Sequence, residues 1–217
     1  MARSALNMDQ APDAVQSPKR LAIVDAATKL FLSQGFGAVS VDAIAAKAQV
    51  SKPTVYSHFE NKEALFSGVM GGVCERAGGR DACPLANEEA ALYMPMNELL
   101  QKTGEHVLGV ITSPEAIEIF RVVIGEAERF PQLGRNFYEF GPATTIEMIG
   151  GYISVKSRSG ELKVGDPEKA AHHLLAMMIF PVQMELACGV REQVSKDEIS
   201  EIVADALITF MKIYTPH

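Results

Sequence analysis

The sequence has no tryptophan and only three cysteines, Cys74, Cys83 and Cys188, with no CxxC spacing among them. An odd number of widely spaced cysteines argues against a disulfide framework or a zinc knuckle and predicts reduced thiols. The longest run of large apolar residues, 174–180, is far short of the roughly 20 needed to cross a bilayer. Residues 1–17 hold no apolar stretch, so we expect no signal peptide and a cytoplasmic protein.

Runs of alternating polar and apolar residues, the pattern of a half-buried β-strand, are also missing. Apolar residues recur instead at three- and four-residue spacing along the chain, which is the helical period. No repeat of fixed length is present, which argues against a solenoid. With 217 residues, of which 47% are hydrophobic and 22% charged, the chain can form a packed core. We therefore predict an all-α fold.

The net charge of −7 is distributed unevenly along the chain. Residues 1–66 carry seven Lys and Arg against six Asp and Glu, whereas residues 67–217 carry thirteen against twenty-one. An acidic body cannot bind nucleic acid along its whole surface, but a nearly neutral front part with well-placed cations can bind phosphates. Any contact with DNA is therefore expected to be local.

Helix starts are marked by capping side chains and by prolines in the first turn. In the first third of the chain the N-cap candidates are Ser17, Ser40, Ser51 and Asn61. Later starts are Ser113-Pro114, Gly141-Pro142, Asp166-Pro167 and the capping box at residues 195–198. The later helices are predicted at about 95–112, 114–129, 132–140, 142–158, 167–188 and 196–214.

Residues 40–59 have the length and the capping and turn residues of a helix-turn-helix: a short capped helix, a tight turn and a second short helix. In the second helix Val55 and Phe59 can face inward, while Thr54, Ser57 and His58 share the opposite face. Small polar side chains can approach base edges in a major groove, and Tyr56, at the edge of this face, could donate to a phosphate. The spacing alone equally fits two short helices within an ordinary α-bundle.

Basic residues flank this second helix and also begin its neighbours. Lys52 and Lys62 bracket the helix, and Lys62 lies in the first turn of the next one. The pair Lys19-Arg20 takes the same place in the first helix. A cation in a first turn opposes the helix dipole, so these positions suggest an anionic partner outside the protein.

The first third of the chain closely resembles the N-terminal domain of TetR-family transcriptional regulators. The resemblance covers about residues 17–77, and its Tyr-x-x-Phe-x-x-Lys-x-x-Leu-Phe portion is among the more specific features of that family. The residues that carry it are Ala26-Ala27, Phe31, Gly35-Phe36, residues 40–45 (SVDAIA) and residues 50–66 (VSKPTVYSHFENKEALF).

The resemblance implies a three-helix DNA-binding head, with the helix-turn-helix at 40–59, on a larger helical body that binds a small ligand and dimerises. It implies the DNA-binding domain over 17–77 and the effector-binding and dimerisation domain over 78–217. Because chain termini are often poorly ordered, we expect a flexible arm over 1–16. The residues that match phosphate-contacting positions of the family motif are Thr54, Tyr56, His58 and Lys62. Those that match base-facing positions are Lys52, Pro53 and Ser57. Ser40 matches the hydroxyl that begins the second helix.

Two positions depart from the family pattern. Gln49 stands where the family often has glycine, and a left-handed backbone there would cost a Gln about 1 kcal/mol. Asp42 replaces a residue that is often basic or polar. Its carboxylate suits a helix N-terminus but would repel phosphate if it faced DNA.

Residues 120–139, followed by Gly141-Pro142, Gly160-x-Leu162 and Asp166-Pro167, resemble the C-terminal domain of the AefR-like subgroup. Because methionine side chains adapt to varied apolar ligands, we expect a small apolar or amphipathic effector. Residues of these types are more often plain core, and the candidates for lining its cavity are Met94, Met96, Phe120, Phe137, Met148, Tyr152, Met177 and Met178.

The last two helices are predicted to form a homodimer interface. The final helix has a broad apolar stripe, and residues 170–187 are apolar nearly all round, so that helix needs two partners, of which one could be a second subunit. The alternative is that both helices lie inside one monomeric core. Pro181 should kink or loosen the helix that contains it.

We find no nucleophile elbow, phosphate-cradling glycine loop or metal-ligand cluster, so we expect no enzyme, no cofactor and no metal site. The predicted function is a DNA-binding transcriptional regulator, most simply a repressor that a small effector releases from a palindromic operator. The competing hypothesis is a helical adaptor or ligand-binding protein that acts through protein partners, which the acidic body keeps open. No membrane partner is expected.

Overall fold

The computed structural model describes residues 17–76 and 82–216, and the regular elements within these ranges are helices, without a β-strand. No helix within them is long and apolar enough to span a membrane. The all-α prediction is confirmed. The helices, numbered in chain order, are α1 (Pro18–Gln34), α2 (Val41–Lys47), α3 (Lys52–His58), α4 (Lys62–Arg76), α5 (Glu88–Tyr93), α6 (Met96–Ile111), α7 (Pro114–Glu126), α8 (Pro131–Tyr138), α9 (Thr144–Arg158), α10 (Pro167–Ala187) and α11 (Lys196–Tyr214).

The chain divides into two compact units between Val69 and Met70, within α4. We call the first unit the head and the second the body. The domain boundary predicted at 77/78 lies outside the described residues, as does the predicted flexible arm 1–16, so both stay predictions.

Side-chain caps begin the helices as the sequence predicts. At each of these starts the capping oxygen accepts the amide three residues later, which satisfies one of the donors left open at a helix N-terminus. At the Ser195 start, the Glu198 carboxylate does not accept the Ser195 N–H, as a capping box requires, but pairs with Arg191 at 2.7 Å. The caps are Ser17, Ser40, Ser51, Asn61, Ser113, Asp166 and Ser195.

The head is organised round three buried phenylalanines. The rings of Phe31, Phe36 and Phe66 lie with their centroids 5.3 to 5.6 Å apart, in tilted and edge-to-face arrangements that suit aromatic quadrupoles. All three are fully buried. They join α1, the loop after it and α4, and this core supports the short helices α2 and α3.

The body has one continuous hydrophobic core, in which α9 packs along α10 and α6 along α11. Fully buried side chains from three of its helices, α6, α9 and α11, are Leu99, Leu108, Ile149, Ile153 and Phe210. The helix α10 runs without interruption through Pro181.

Two local predictions in the body are wrong. Gly141-Pro142 does not begin a helix, because residues 139–143 form a π-helical turn that joins α8 to α9. The wide turn tolerates the missing proline N–H, and the hydroxyls of Thr144 and Thr145 donate to the carbonyls of Glu139 and Gly141, each at 3.0 Å. The first helix of the body is predicted at about residue 95, but a short 3-10 turn, Pro84–Ala86, and the helix α5 precede it.

Candidate nucleic-acid interface

The turn between α2 and α3 is closed by backbone hydrogen bonds. Ala48 N–H donates to Ile44 O at 2.8 Å, and Val50 N–H donates to Ala45 O at 3.0 Å. Gln49 has φ 55°, the left-handed conformation that glycine adopts at less cost. The chain therefore turns as the helix-turn-helix pattern predicts, with strain at Gln49.

Helix α3 is held to the head by its apolar side chains. Val55 and Phe59 are 2% and 5% exposed, and both point into the head. The Ser51 cap and Pro53 in the first turn stabilise a helix of only seven residues, too short to be stable without packing. Arg20 from α1 covers the ring of Phe59 with its guanidinium 4.9 Å from the centroid, and burial lowers the pKa of Arg20.

The opposite face of α3 is polar and accessible. Lys52, Pro53, Tyr56 and Ser57 are exposed, and Thr54 and His58 are partly exposed. Tyr56 keeps 48% of its surface accessible, although it is the largest side chain of the helix. This surface, which we call the α3 face, has the shape and chemistry that entry into a major groove requires.

The hydroxyl groups near the α3 face are held by local hydrogen bonds. Ser51 Oγ and Thr54 Oγ1 lie 2.8 Å apart, and Ser57 Oγ donates to the carbonyl of Thr54 at 2.8 Å. At the start of α2, Ser40 Oγ accepts the amide of Ala43 at 3.1 Å. These bonds fix where each oxygen points, and Ser40 still has its proton to donate to a phosphate.

Lys52, the first residue of α3, forms an ion pair with Asp42 of α2. Lys52 Nζ lies 2.8 Å from Asp42 Oδ2, and both side chains are largely exposed. The hydrogen bond to Asp42 raises the pKa of Lys52. Asp42 departs from the family pattern, but its partner cannot be read from the sequence, because the two residues meet only when the turn brings the starts of α2 and α3 together.

Lys62 has hydrogen-bond partners inside the head. Its ammonium points into the head, where it donates to the carbonyls of Phe36 and Val39 at 2.7 and 2.9 Å and lies 4.3 Å from the centroid of the Phe36 ring. Like Arg20 on Phe59, this first-turn cation has partners inside the protein that account for its position without an external anion. These bonds favour a structural role for Lys62, and its contact with a phosphate stays a prediction.

The eight candidates for the effector site are not all neighbours. Tyr152 and Met178 are part of the core of the body, and Met94, Met96, Met148 and Met177 pack against it. Phe120 and Phe137 form a separate pair, with ring centroids 6.1 Å apart. An open groove of about 520 Å³ is lined by residues of α6 and α11, and none of the eight contributes to it: Asn97, Gln101, Ala204, Leu207, Ile208, Met211 and Lys212.

Two family models match the chain, each on one part of it. The model described as bacterial regulatory proteins of the tetR family matches residues 23–69, and the AefR-like transcriptional repressor C-terminal domain matches residues 98–216. The chain belongs to the TetR family. Family and fold together point to a DNA-binding transcriptional regulator and not to an enzyme.

Individual relatives agree with this assignment. The TetR-family chain is 27% identical over 165 residues to the helix-turn-helix regulator YhgD of Bacillus subtilis, covering 72% of this chain and 78% of that one. A TetR-family regulator from Mesorhizobium loti superposes with a TM-score of 0.76 at 28% identity, covering 93% and 100% of the two chains. The flavonoid-responsive regulator FrrA superposes with a TM-score of 0.74 at 30% identity, covering 92% and 98%.

Proposed function

We propose that this TetR-family regulator is a repressor that binds a palindromic operator as a homodimer and is released by a small apolar or amphipathic effector. The observation that carries the proposal is the α3 face, in which polar side chains are exposed while Val55 and Phe59 anchor the helix from behind. Among its residues we assign Lys52, Pro53 and Ser57 to bases and Thr54, Tyr56 and His58 to phosphates. Ser40 adds a phosphate contact from the start of α2.

The homodimer is proposed to form through α10 and α11. These helices leave large apolar side chains exposed, notably Phe180 at 66%, Met184 at 40% and Ile208 at 54%. An apolar surface of this kind on two long helices suits a two-fold interface, in which the same patch on each subunit meets its copy. Two heads related in this way would match half-sites separated by about 34 Å, or a multiple of it, along the DNA.

The effector is proposed to bind in the body, among Met94, Met96, Met148, Tyr152, Met177 and Met178. The hydroxyl of Thr103 in α6 is buried and has no hydrogen-bond partner among the described residues. This unpaired hydroxyl favours a ligand that carries a polar group. Leaving such a group unpaired costs about 1–3 kcal/mol. Phe120 and Phe137 form a second aromatic surface, on α7 and α8. A ligand that prefers one conformation of the body would shift the population towards it and lower the affinity for the operator.

The experiment is a nuclease footprint on the DNA upstream of the regulator's own gene, over a range of salt concentrations. A repressor of this kind should protect a palindrome as a dimer, and protection should weaken steeply as salt rises. A flavonoid aglycone and a long-chain fatty acid are the first effector probes, chosen because FrrA is described as flavonoid-responsive and a second relative, 25% identical, as a fatty acid metabolism regulator.

Absence of any protected segment would contradict the proposal and favour the competing hypothesis of an adaptor that acts through protein partners. Protection that needs added effector would contradict release by the effector, and transcription that falls when the gene is deleted would make the protein an activator. The repressor proposal requires the opposite result in both measurements.

A further inference from the structure

The ion pair between Asp42 and Lys52 lies beside the α3 face and involves a residue assigned to base contact. It links the first turn of α2 to the first residue of α3, and the two side chains keep 68% and 47% of their surface accessible. Because an ion pair exposed to this degree contributes little to folding stability, its main effect is on the charge that the head presents to DNA.

The head has few cations for DNA that are not already engaged. Residues 17–69 contain six Lys and Arg against four Asp and Glu. Lys29 pairs with Asp25 at 2.7 Å, and Lys62 is held by two carbonyls inside the head. Whether the Lys52 ammonium is paired with Asp42 or free therefore determines a large part of the positive charge available near the α3 face.

We infer that Asp42 determines specificity by holding the Lys52 ammonium in an ion pair that weakens binding to DNA of arbitrary sequence more than binding to the operator. A free ammonium gains from any phosphate, since phosphates are present on every sequence. An ammonium paired with a carboxylate brings no net charge to the DNA and releases no counterion. Only acceptors in the right place can compete with the carboxylate, and the guanine O6 and N7 atoms in the major groove form such a set.

This inference rests on the proposed placement of the α3 face in the major groove. Asp42 is a positioning residue in it, since it acts through Lys52 and needs no DNA contact of its own. The distinguishing measurement is the dependence of affinity on salt, because a purely structural role would change stability but would not change the number of phosphates neutralised.

The experiment compares the full-length wild-type chain with Asp42→Asn on two duplexes. The first duplex is the one that the wild-type chain enriches from a random-sequence library, and the second is a shuffled duplex of equal length and composition. For Asp42→Asn we expect affinity for the shuffled duplex to rise on the order of fivefold at 0.1 M salt, with the slope of log K against log salt steeper by about 0.9. Affinity for the enriched duplex should change less than about twofold, so that the specificity ratio falls.

Two further variants make the test specific to this pair. Asp25→Asn removes an aspartate from another exposed ion pair of the head and should leave both affinities and both slopes at the wild-type values. In a Lys52→Met background, Asp42→Asn should lose its effect, because the charge that it releases is gone. Thermal unfolding of each variant reports any loss of fold.

Three results would overturn the inference: an unchanged affinity and slope on the shuffled duplex, an equal gain on both duplexes, or an effect of Asp42→Asn that persists without Lys52. If the wild-type chain binds random-sequence DNA yet enriches no sequence, operator recognition itself fails, which separates that outcome from the other three.

Discussion

The ammonium of Lys62 lies 4.3 Å from the centroid of the Phe36 ring and donates to the carbonyl of the same residue at 2.7 Å. A second bond, to the carbonyl of Val39 at 2.9 Å, ties the start of α4 to the loop that connects α1 with α2. One side chain thus fixes the loop that precedes the helix-turn-helix, and its charge is used inside the head.

Replacing Lys62 by Met should therefore destabilise the head without changing its electrostatic contact with DNA. Two backbone carbonyls lose a charged donor, for which we expect a loss of about 1–3 kcal/mol in the free energy of unfolding, measured by urea denaturation. Lys47→Met, at an exposed position at the end of α2, is the matched control and should change stability by no more than about 0.5 kcal/mol. If the slope of log K against log salt is shallower by about 0.9 in Lys62→Met, Lys62 neutralises a phosphate and the phosphate assignment is supported.

Two glycines five residues apart in α6 should respond in opposite directions to alanine. A Cβ at Gly104 would lie 2.6 Å from Val203 Cγ1 and 3.0 Å from the sulfur of Met178, whereas a Cβ at Gly109 would meet nothing within 4 Å. Gly104→Ala should destabilise the body by about 1–3 kcal/mol through overpacking. Gly109→Ala should stabilise it by about 0.5–1 kcal/mol, since alanine loses less conformational entropy in a helix.

Thermal unfolding of both variants checks this pair of predictions, and Gly104→Ala combined with Val203→Ala tests the cause. Removing the two methyl groups of Val203 should recover part of the loss if the clash is responsible. Equal melting temperatures for the two glycine variants would show that α6 and α11 have room to separate.

Local patterns predicted most of the fold, and long-range contacts account for most of what they missed. The caps at Ser40 and Ser51 place α2 and α3 correctly, because capping depends on residues three positions apart. The partner of Lys62 could not be predicted, since Phe36 lies 26 residues earlier and its carbonyl becomes available only when the head is packed. A cation in the first turn of a helix is therefore ambiguous evidence for an external anion.

The turn at Gln49 should become more stable when glycine replaces it. Gln49 has φ 55°, and a side chain in this region costs about 1 kcal/mol relative to glycine. Because glycine also gains entropy in the unfolded chain, we expect Gln49→Gly to stabilise the head by up to about 1 kcal/mol in urea denaturation. Gln49→Val is the contrasting variant and should destabilise it, since a β-branched residue is strained further at positive φ.

Tyr56 and Ser57 should have different effects on DNA binding, although they are adjacent on the α3 face. Tyr56→Phe removes only a hydroxyl from a side chain that is 48% exposed, so the packing of α3 is unchanged. If that hydroxyl donates to a phosphate, affinity should fall about three- to tenfold on operator and shuffled DNA alike. Ser57→Ala should instead change which bases are preferred at one position in each half-site, with little loss on shuffled DNA.

Competitive binding to a set of operators that differ by single base pairs distinguishes the two effects. Tyr93→Phe, which removes the hydroxyl of an 81% exposed tyrosine in the body, is the matched control and should leave all affinities unchanged. A base preference altered by Tyr56→Phe, or an equal loss on every sequence with Ser57→Ala, would mean that α3 lies in the groove with a different rotation about its axis. The base-facing and phosphate-facing assignments would then have to be exchanged along the whole helix, since its side chains turn together at about 100° per residue.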